Sequence, residues 1–132
     1  MGKRIQAEHG VIYSRGNDTL FGYFGWPSVC RISEHGLLAT ASGFRTGHID
    51  PFGKSVSFTS EDDGRTWSAP LIVNNSPVDD RDTGLTSLGD GRALMTWFSS
   101  DIRISYADKS KIGRVTRRYR MDFDPVLAMW DD

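Results

Sequence analysis

Short apolar runs separated by turn residues dominate the chain up to Phe98. Ser28-Val29-Cys30-Arg31-Ile32 gives way to a Ser33-Glu34-His35-Gly36 turn, and Leu37 to Ser42 resumes as a second apolar run. A polar, glycine-containing loop extends from Arg45 to Lys54. Val56 and Phe58 then alternate with Ser55, Ser57 and Thr59, the period of two that marks a strand. Asp63-Gly64 is a hairpin turn signal, and Leu71-Ile72-Val73 predicts a fourth strand, closed by Asn74 to Pro77.

The pattern then restarts. Leu85 to Leu88, a Gly89-Asp90-Gly91-Arg92 turn and Ala93 to Phe98 mirror the first two strands. At one constant offset Ile32 falls on Leu88, Leu38 on Leu94 and Thr40 on Thr96. Units of four strands repeating every ~50 residues are the sequence sign of propeller blades. We therefore expect an all-β fold, with blade one over about 24–77 and the start of blade two over about 82–100. From Ser99 the strand pattern stops. Asp124 as N-cap and Pro125 at the first helical position predict a short helix with Val126, Met129 and Trp130 on one face. The segment 103–132 is expected to be a helical insertion. One and a half blades leave apolar faces and a sheet edge uncovered. The expectation is an N-terminal fragment, or a protomer that completes its ring by association.

Composition narrows the picture. The 132 residues fit one domain, and the charge balance of −1 gives the chain no strong pull toward nucleic acid or membrane. Arg103 to Arg120 holds seven basic residues and one acidic one, but Asp122, Asp124, Asp131 and Asp132 balance them, which favours a solvated segment over a nucleic-acid contact. The single cysteine, Cys30, rules out an internal disulfide. No apolar run follows the basic N-terminus and none approaches a membrane span, so a cytoplasmic location is expected. His9, His35 and His48 lack partners at metal-ligand spacing, and phosphate-loop, dinucleotide and nucleophile-elbow motifs are absent. Neither metal nor cofactor is expected.

The most specific signal is Ser60-Glu61-Asp62-Asp63-Gly64-Arg65-Thr66-Trp67. Ser60 and Asp62 offer oxygens to turn N–H groups, Gly64 accepts a positive φ, and Thr66 and Trp67 lead into the next strand. The motif is identified as an Asp-box (BNR) repeat. With Phe24 to Ser28, His48 to Lys54 and Asp79 to Gly84 around it, the chain resembles the bacterial exo-α-sialidase-like branch of the sialidase superfamily, over roughly Glu8 to Phe98.

That resemblance implies a six-bladed propeller with its site on the central axis. It also implies a glycoside hydrolase releasing a terminal sugar such as sialic acid. In such enzymes arginines hold the substrate carboxylate, an aspartate is the acid/base and a glutamate-activated tyrosine is the nucleophile. Asp50 resembles the acid/base aspartate, with the alternative that it shapes the turn before Pro51. Arg45 and Arg81 are the expected pocket arginines, with Asp80 or Asp82 orienting Arg81. Trp26 and His48 complete the substrate-binding set. The family's first triad arginine is missing, because Gly25-Trp26-Pro27 occupies its place. Trp26 could stack on a sugar there. The alternatives are a non-catalytic carbohydrate-binding propeller, or another glycosidase or lyase on the same fold. Because the nucleophile pair would lie on later blades, the 132-residue chain alone is expected to lack hydrolase activity.

Overall fold

The computed structural model describes residue 4 and residues 6–16 and 20–101. The described residues form six strands and no helix. The strands are β1 (Tyr23–Arg31), β2 (Leu37–Arg45), β3 (Lys54–Ser60), β4 (Leu71–Asn74), β5 (Asp79–Gly89) and β6 (Arg92–Ser100). They make two antiparallel sheets, β1-β2-β3-β4 and the hairpin β5-β6. The all-β class is as the apolar pattern predicts. The helix expected at 124–130 and the insertion at 103–132 lie outside the described residues.

Strand limits depart from the pattern at two places. β1 begins at Tyr23 rather than near Ser28, and its register against β2 shifts between Tyr23 and Gly25 and again between Gly25 and Ser28. Pro27 cannot donate to a ladder, so it is tolerated on this sheet edge within an irregular stretch. Trp26 there takes a φ of 51°. β5 begins at Asp79, inside a charged run that reads as loop by composition. Asp79 and Asp80 are both fully buried; Asp79 Oδ2 accepts from Arg45 and the Asp80 carboxylate from Ser76.

In-register partners share a face, and the two faces of the first sheet differ chemically. Ala39 lies opposite Phe58, and Ala41 opposite Val56. These four form the buried apolar core, with Tyr13, Phe24, Phe44 and Trp67 packed against it. Small residues on β2 leave room for rings: Tyr13 meets Phe24 edge-on at 5.3 Å, and Phe24 meets Phe44 at 5.2 Å. A Cβ on Gly43 would lie 2.5 Å from the Phe24 ring, so this close approach requires glycine.

The opposite face is small and polar. Thr40 pairs with Ser57 and Ser42 with Ser55, and all four are buried. β5 lies over it: the Asp82 N–H donates to Ser42 Oγ at 2.8 Å, and Ser28 Oγ donates to the Thr83 carbonyl at 2.9 Å. The first sheet is thus covered on one face by aromatics and on the other by the hairpin.

The Ser60–Trp67 turn, read above as an Asp-box, closes the β3–β4 connection with its own side chains. Ser60 Oγ accepts from the Gly64 N–H at 2.8 Å. Asp62 accepts from the Thr66 N–H at 2.9 Å and the Thr66 hydroxyl at 2.6 Å. Trp67 Nε1 donates to the Gly64 carbonyl at 3.0 Å. Asp63 and Gly64 both have positive φ, 59° and 87°, as this turn demands. The hydrogen bonds from Thr66, the hydroxyl first, hold the Asp62 carboxyl down to about 2. Asp63 points the other way, to His35 Nδ1 at 2.8 Å and Arg31 Nη1 at 2.8 Å, and so ties the Asp-box to the β1–β2 turn.

Candidate functional site

At the far end of the sheets from the Asp-box, the β1 bulge, the end of β2, the loop 46–53 and the start of β5 converge. Trp26, Arg45, His48, Asp50, Arg81 and Asp82 all lie there. They divide into an inner and an outer group.

Arg45 is inner, with a fully buried side chain. Its Nε donates to the Gly47 carbonyl at 3.2 Å, Nη1 to the Asp80 carbonyl at 3.1 Å, and Nη2 to the His48 carbonyl at 2.8 Å. Nη2 also donates to Asp79 Oδ2 at 3.0 Å, while Nη1 lies 2.7 Å from Asp79 Oδ1. The guanidinium therefore spends its donors on the loop wrapped around it and on β5. Gly53 permits the wrap: a Cβ there would collide with the Arg45 guanidinium and sit 2.6 Å from Asp79 Oδ1. Burial raises the Asp79 carboxyl above the ordinary carboxylate value, while the Arg45 fork, the Asp50 N–H and the Arg81 charge pull against that rise.

Asp50 is inner as well, with 1% of its surface exposed. Its carboxylate accepts from the Thr46 N–H and from the Phe52 N–H, the latter at 2.8 Å. Its own N–H donates to Asp79 Oδ2 at 3.2 Å, and its carbonyl accepts from the Gly53 N–H at 2.9 Å. This is the turn-shaping arrangement that Asp-Pro favours. Asp80, an expected orienter of Arg81, faces away instead: it holds the Ser76 N–H at 2.6 Å and the Ser76 hydroxyl at 2.8 Å, and also accepts from Ser99 Oγ.

The outer group is Trp26, His48, Arg81 and Asp82. The Arg81 guanidinium carbon lies 5.0 Å from the Trp26 ring centre and 5.7 Å from that of Phe98, and so sits between two aromatic surfaces. Nη2 lies 3.3 Å from His48 Nε2. His48 is exposed and meets Trp26 edge-on at 5.0 Å. Two carboxylates neighbour Arg81: Asp79 Oδ2 at 3.6 Å from Nη1 and Asp82 Oδ1 at 3.7 Å from Nε. Arg81 Nε and Asp82 Oδ1 are buried without a hydrogen-bond partner. Asp82 takes a φ of 55°, which keeps its N–H on Ser42 while its side chain stays 39% exposed.

Sequence reasoning passed over two contributors. Asp79 links both arginines, and its neighbours in the acidic run gave it no distinguishing mark. Phe98 backs Arg81 because the two are direct cross-strand partners, and the hairpin register carried that signal.

Among the described residues no group of three or more metal-ligating side chains occurs, and no helix is long and apolar enough to cross a membrane. Comparison of the chain with protein-family models, with curated proteins and with solved structures finds no match.

Proposed function

We propose that this chain is a carbohydrate-recognition unit on a sialidase-like, six-bladed propeller plan. The described sheets are its first blade and the opening of its second. The remaining blades come from a longer chain or from other copies. The Asp-box, the stacking of two antiparallel sheets through a small-residue face and the repeat in the sequence support the plan.

The ligand is a sugar bearing a carboxylate. One observation carries this reading: Arg81, its side chain 12% exposed, is held between Trp26 and Phe98 with His48 beside it. A fixed guanidinium supplies paired donors for a carboxylate, and the neighbouring indole supplies an apolar surface for a sugar ring. Arg45 and Asp50 then serve as the frame under this ledge, since their polar atoms are already engaged.

Hydrolysis is a second reading. In it Asp50 is the acid/base; its backbone N–H donates to Asp79 Oδ2, which also lies 3.6 Å from Arg81 Nη1. The deciding experiment is a titration of the purified chain with N-acetylneuraminic acid, glucuronic acid and glucose, followed by NMR shifts of the Trp26 and His48 side chains. Acidic sugars should perturb both and glucose neither, and Arg81→Ala should weaken binding by about tenfold or more. Equal response to glucose would remove the carboxylate reading. Turnover of a fluorogenic sialoside that is lost in Asp50→Asn would replace recognition with hydrolysis.

A further inference from the structure

Asp-Gly occurs at Asp63-Gly64 and at Asp90-Gly91, and the fold holds the two steps very differently. In this pair the side-chain carboxyl is easily reached by the next backbone nitrogen, because glycine has no Cβ to screen it. At Asp63-Gly64 each participant is restrained. The Asp63 N–H donates to the His35 carbonyl at 3.0 Å, and the Gly64 N–H donates to Ser60 Oγ at 2.8 Å. The Asp63 carboxylate is engaged by His35 and by Arg31, each at 2.8 Å. Those hydrogen bonds, that of His35 first, hold the carboxyl below the usual carboxylate value, which depletes the protonated acid that can lose water. Asp90-Gly91 lacks this restraint. The two residues are the whole loop between β5 and β6, with φ of 52° and 71°. The Asp90 side chain is 92% exposed, and its ion-pair partner Arg92 lies 3.7 Å away and is itself 70% exposed. Such a pair holds a side chain weakly. The Gly91 N–H makes no hydrogen bond among the described residues, and a Cβ placed on Gly91 would meet no atom within 4 Å.

We propose that Asp90-Gly91 is a site of spontaneous backbone isomerisation in the folded chain, and that the turn at 60–67 shields Asp63-Gly64 from the same chemistry. The Gly91 nitrogen attacks Asp90 Cγ. The N–Cγ bond forms, the Cγ–OH bond breaks, and the hydroxyl leaves as water with the amide proton, closing a cyclic imide. Water then opens either C–N bond of the ring. Opening at Cγ restores aspartate. Opening at the main-chain carbonyl leaves the chain running through Cβ and Cγ, as isoaspartate. Water is the only co-reactant. The product lengthens a loop whose length sets the Gly89–Arg92 pairing, so the register at this end of the hairpin loosens. This inference does not rest on the sugar reading, since Arg81 and Phe98 pair at the opposite end of the hairpin.

The full chain is incubated at neutral pH and physiological temperature in water enriched in heavy oxygen, once folded and once in guanidinium chloride, then digested with trypsin in ordinary water. Cleavage after Lys54, Arg65, Arg81 and Arg92 puts the two steps on separate peptides, 55–65 and 82–92, of one sample. Each passage through the imide leaves a heavy oxygen in the peptide, and electron-transfer fragmentation separates isoaspartate from aspartate. In the folded chain conversion at Asp90 should exceed that at Asp63 by about tenfold or more, the effect of one or two retained hydrogen bonds. In denaturant the two rates should come together. Asp90→Asn keeps a residue pair that such a turn favours and loses ammonia in place of water, so it should convert faster still. Equal rates in the folded chain, or faster conversion at Asp63, overturn the proposal, as does conversion at Asp90 in denaturant alone. An Asp90→Asn chain that keeps its side-chain amide shows that the Gly91 nitrogen does not reach Cγ, and overturns it as well.

Discussion

The β2–β3 ladder and the β5–β6 hairpin are both antiparallel, yet they hold their side chains under opposite conditions. Ala39, Ala41, Val56 and Phe58 are enclosed, and the polar face behind them is covered by β5. In the hairpin, Leu88, Leu94, Trp97 and Phe98 each keep more than two-fifths of their surface exposed. Backbone hydrogen bonds alone do not distinguish the two, because both ladders are made. What differs is the number of packed faces, and apolar burial is the main stabilising term in folding. The hairpin is anchored to the rest of the molecule chiefly at its Asp79–Thr83 end, by Arg45, Ser42 and Ser28.

The largest test severs that anchor. Arg45→Ala strands the Asp79 carboxylate in a buried place beside a vacated guanidinium site, and should cost about 3–5 kcal/mol in urea unfolding. Gly53→Ala should act in the same direction without removing a charge, since its Cβ invades the same pair. If either variant unfolds at the wild-type urea midpoint, the buried pair does not join the sheets.

Next comes a matched pair of truncations. Phe58→Ala removes a ring that is 4% exposed and should cost about 3–5 kcal/mol. Phe98→Ala removes one that is 49% exposed and should cost about 1 kcal/mol or less in the monomer. Equal losses would mean the hairpin is as enclosed as the first sheet, and the contrast would fail.

The smallest effect is a pH dependence at the Ser60–Trp67 turn. The Asp62 carboxyl is lowered in the folded chain from an ordinary 3.8 to about 2. A depressed folded value means the ionised form is the stabilised one. Its contribution is therefore complete above the unfolded value and is lost as pH falls from about 4 toward 2. Protection of the Gly64 and Thr66 amides, taken relative to the intrinsic exchange rate at each pH, should fall over that window in the wild type. In Asp62→Asn that fall should be absent.

Much of this contrast was written in the sequence. The alternation around Val56 and Phe58 and the Asp63-Gly64 turn located β3 and the Asp-box, because both depend on neighbours in the chain. The start of β5 was hidden. Asp79-Asp80-Arg81-Asp82 has a loop's composition, and it becomes strand because Arg45, Ser76 and Ser99 satisfy its acids from elsewhere in the fold. The candidate site was legible as a list and not as an arrangement. Arg45 and Arg81 are the same residue type in comparable polar surroundings. Loop 46–53 folds over the first and leaves the second between two rings, a difference set by tertiary wrapping around Gly53. Trp26 likewise read as a ring near the site, while its positive φ and its stacking on Arg81 depend on the bulge in β1.

The Asp-box lies at the opposite end of the sheet from the ledge, and the hydrogen bonds made by the side chains of Ser60, Asp62, Thr66 and Trp67 all close within residues 60–67. Substitutions at Trp26, His48 or Arg81 leave every one of those bonds intact. In evolutionary terms the two ends are free to drift separately: the clasp can be inherited unchanged while the residues around Arg81 are rewritten. Retention of the clasp in a descendant chain would therefore record ancestry of architecture and carry no information about the chemistry at the other end.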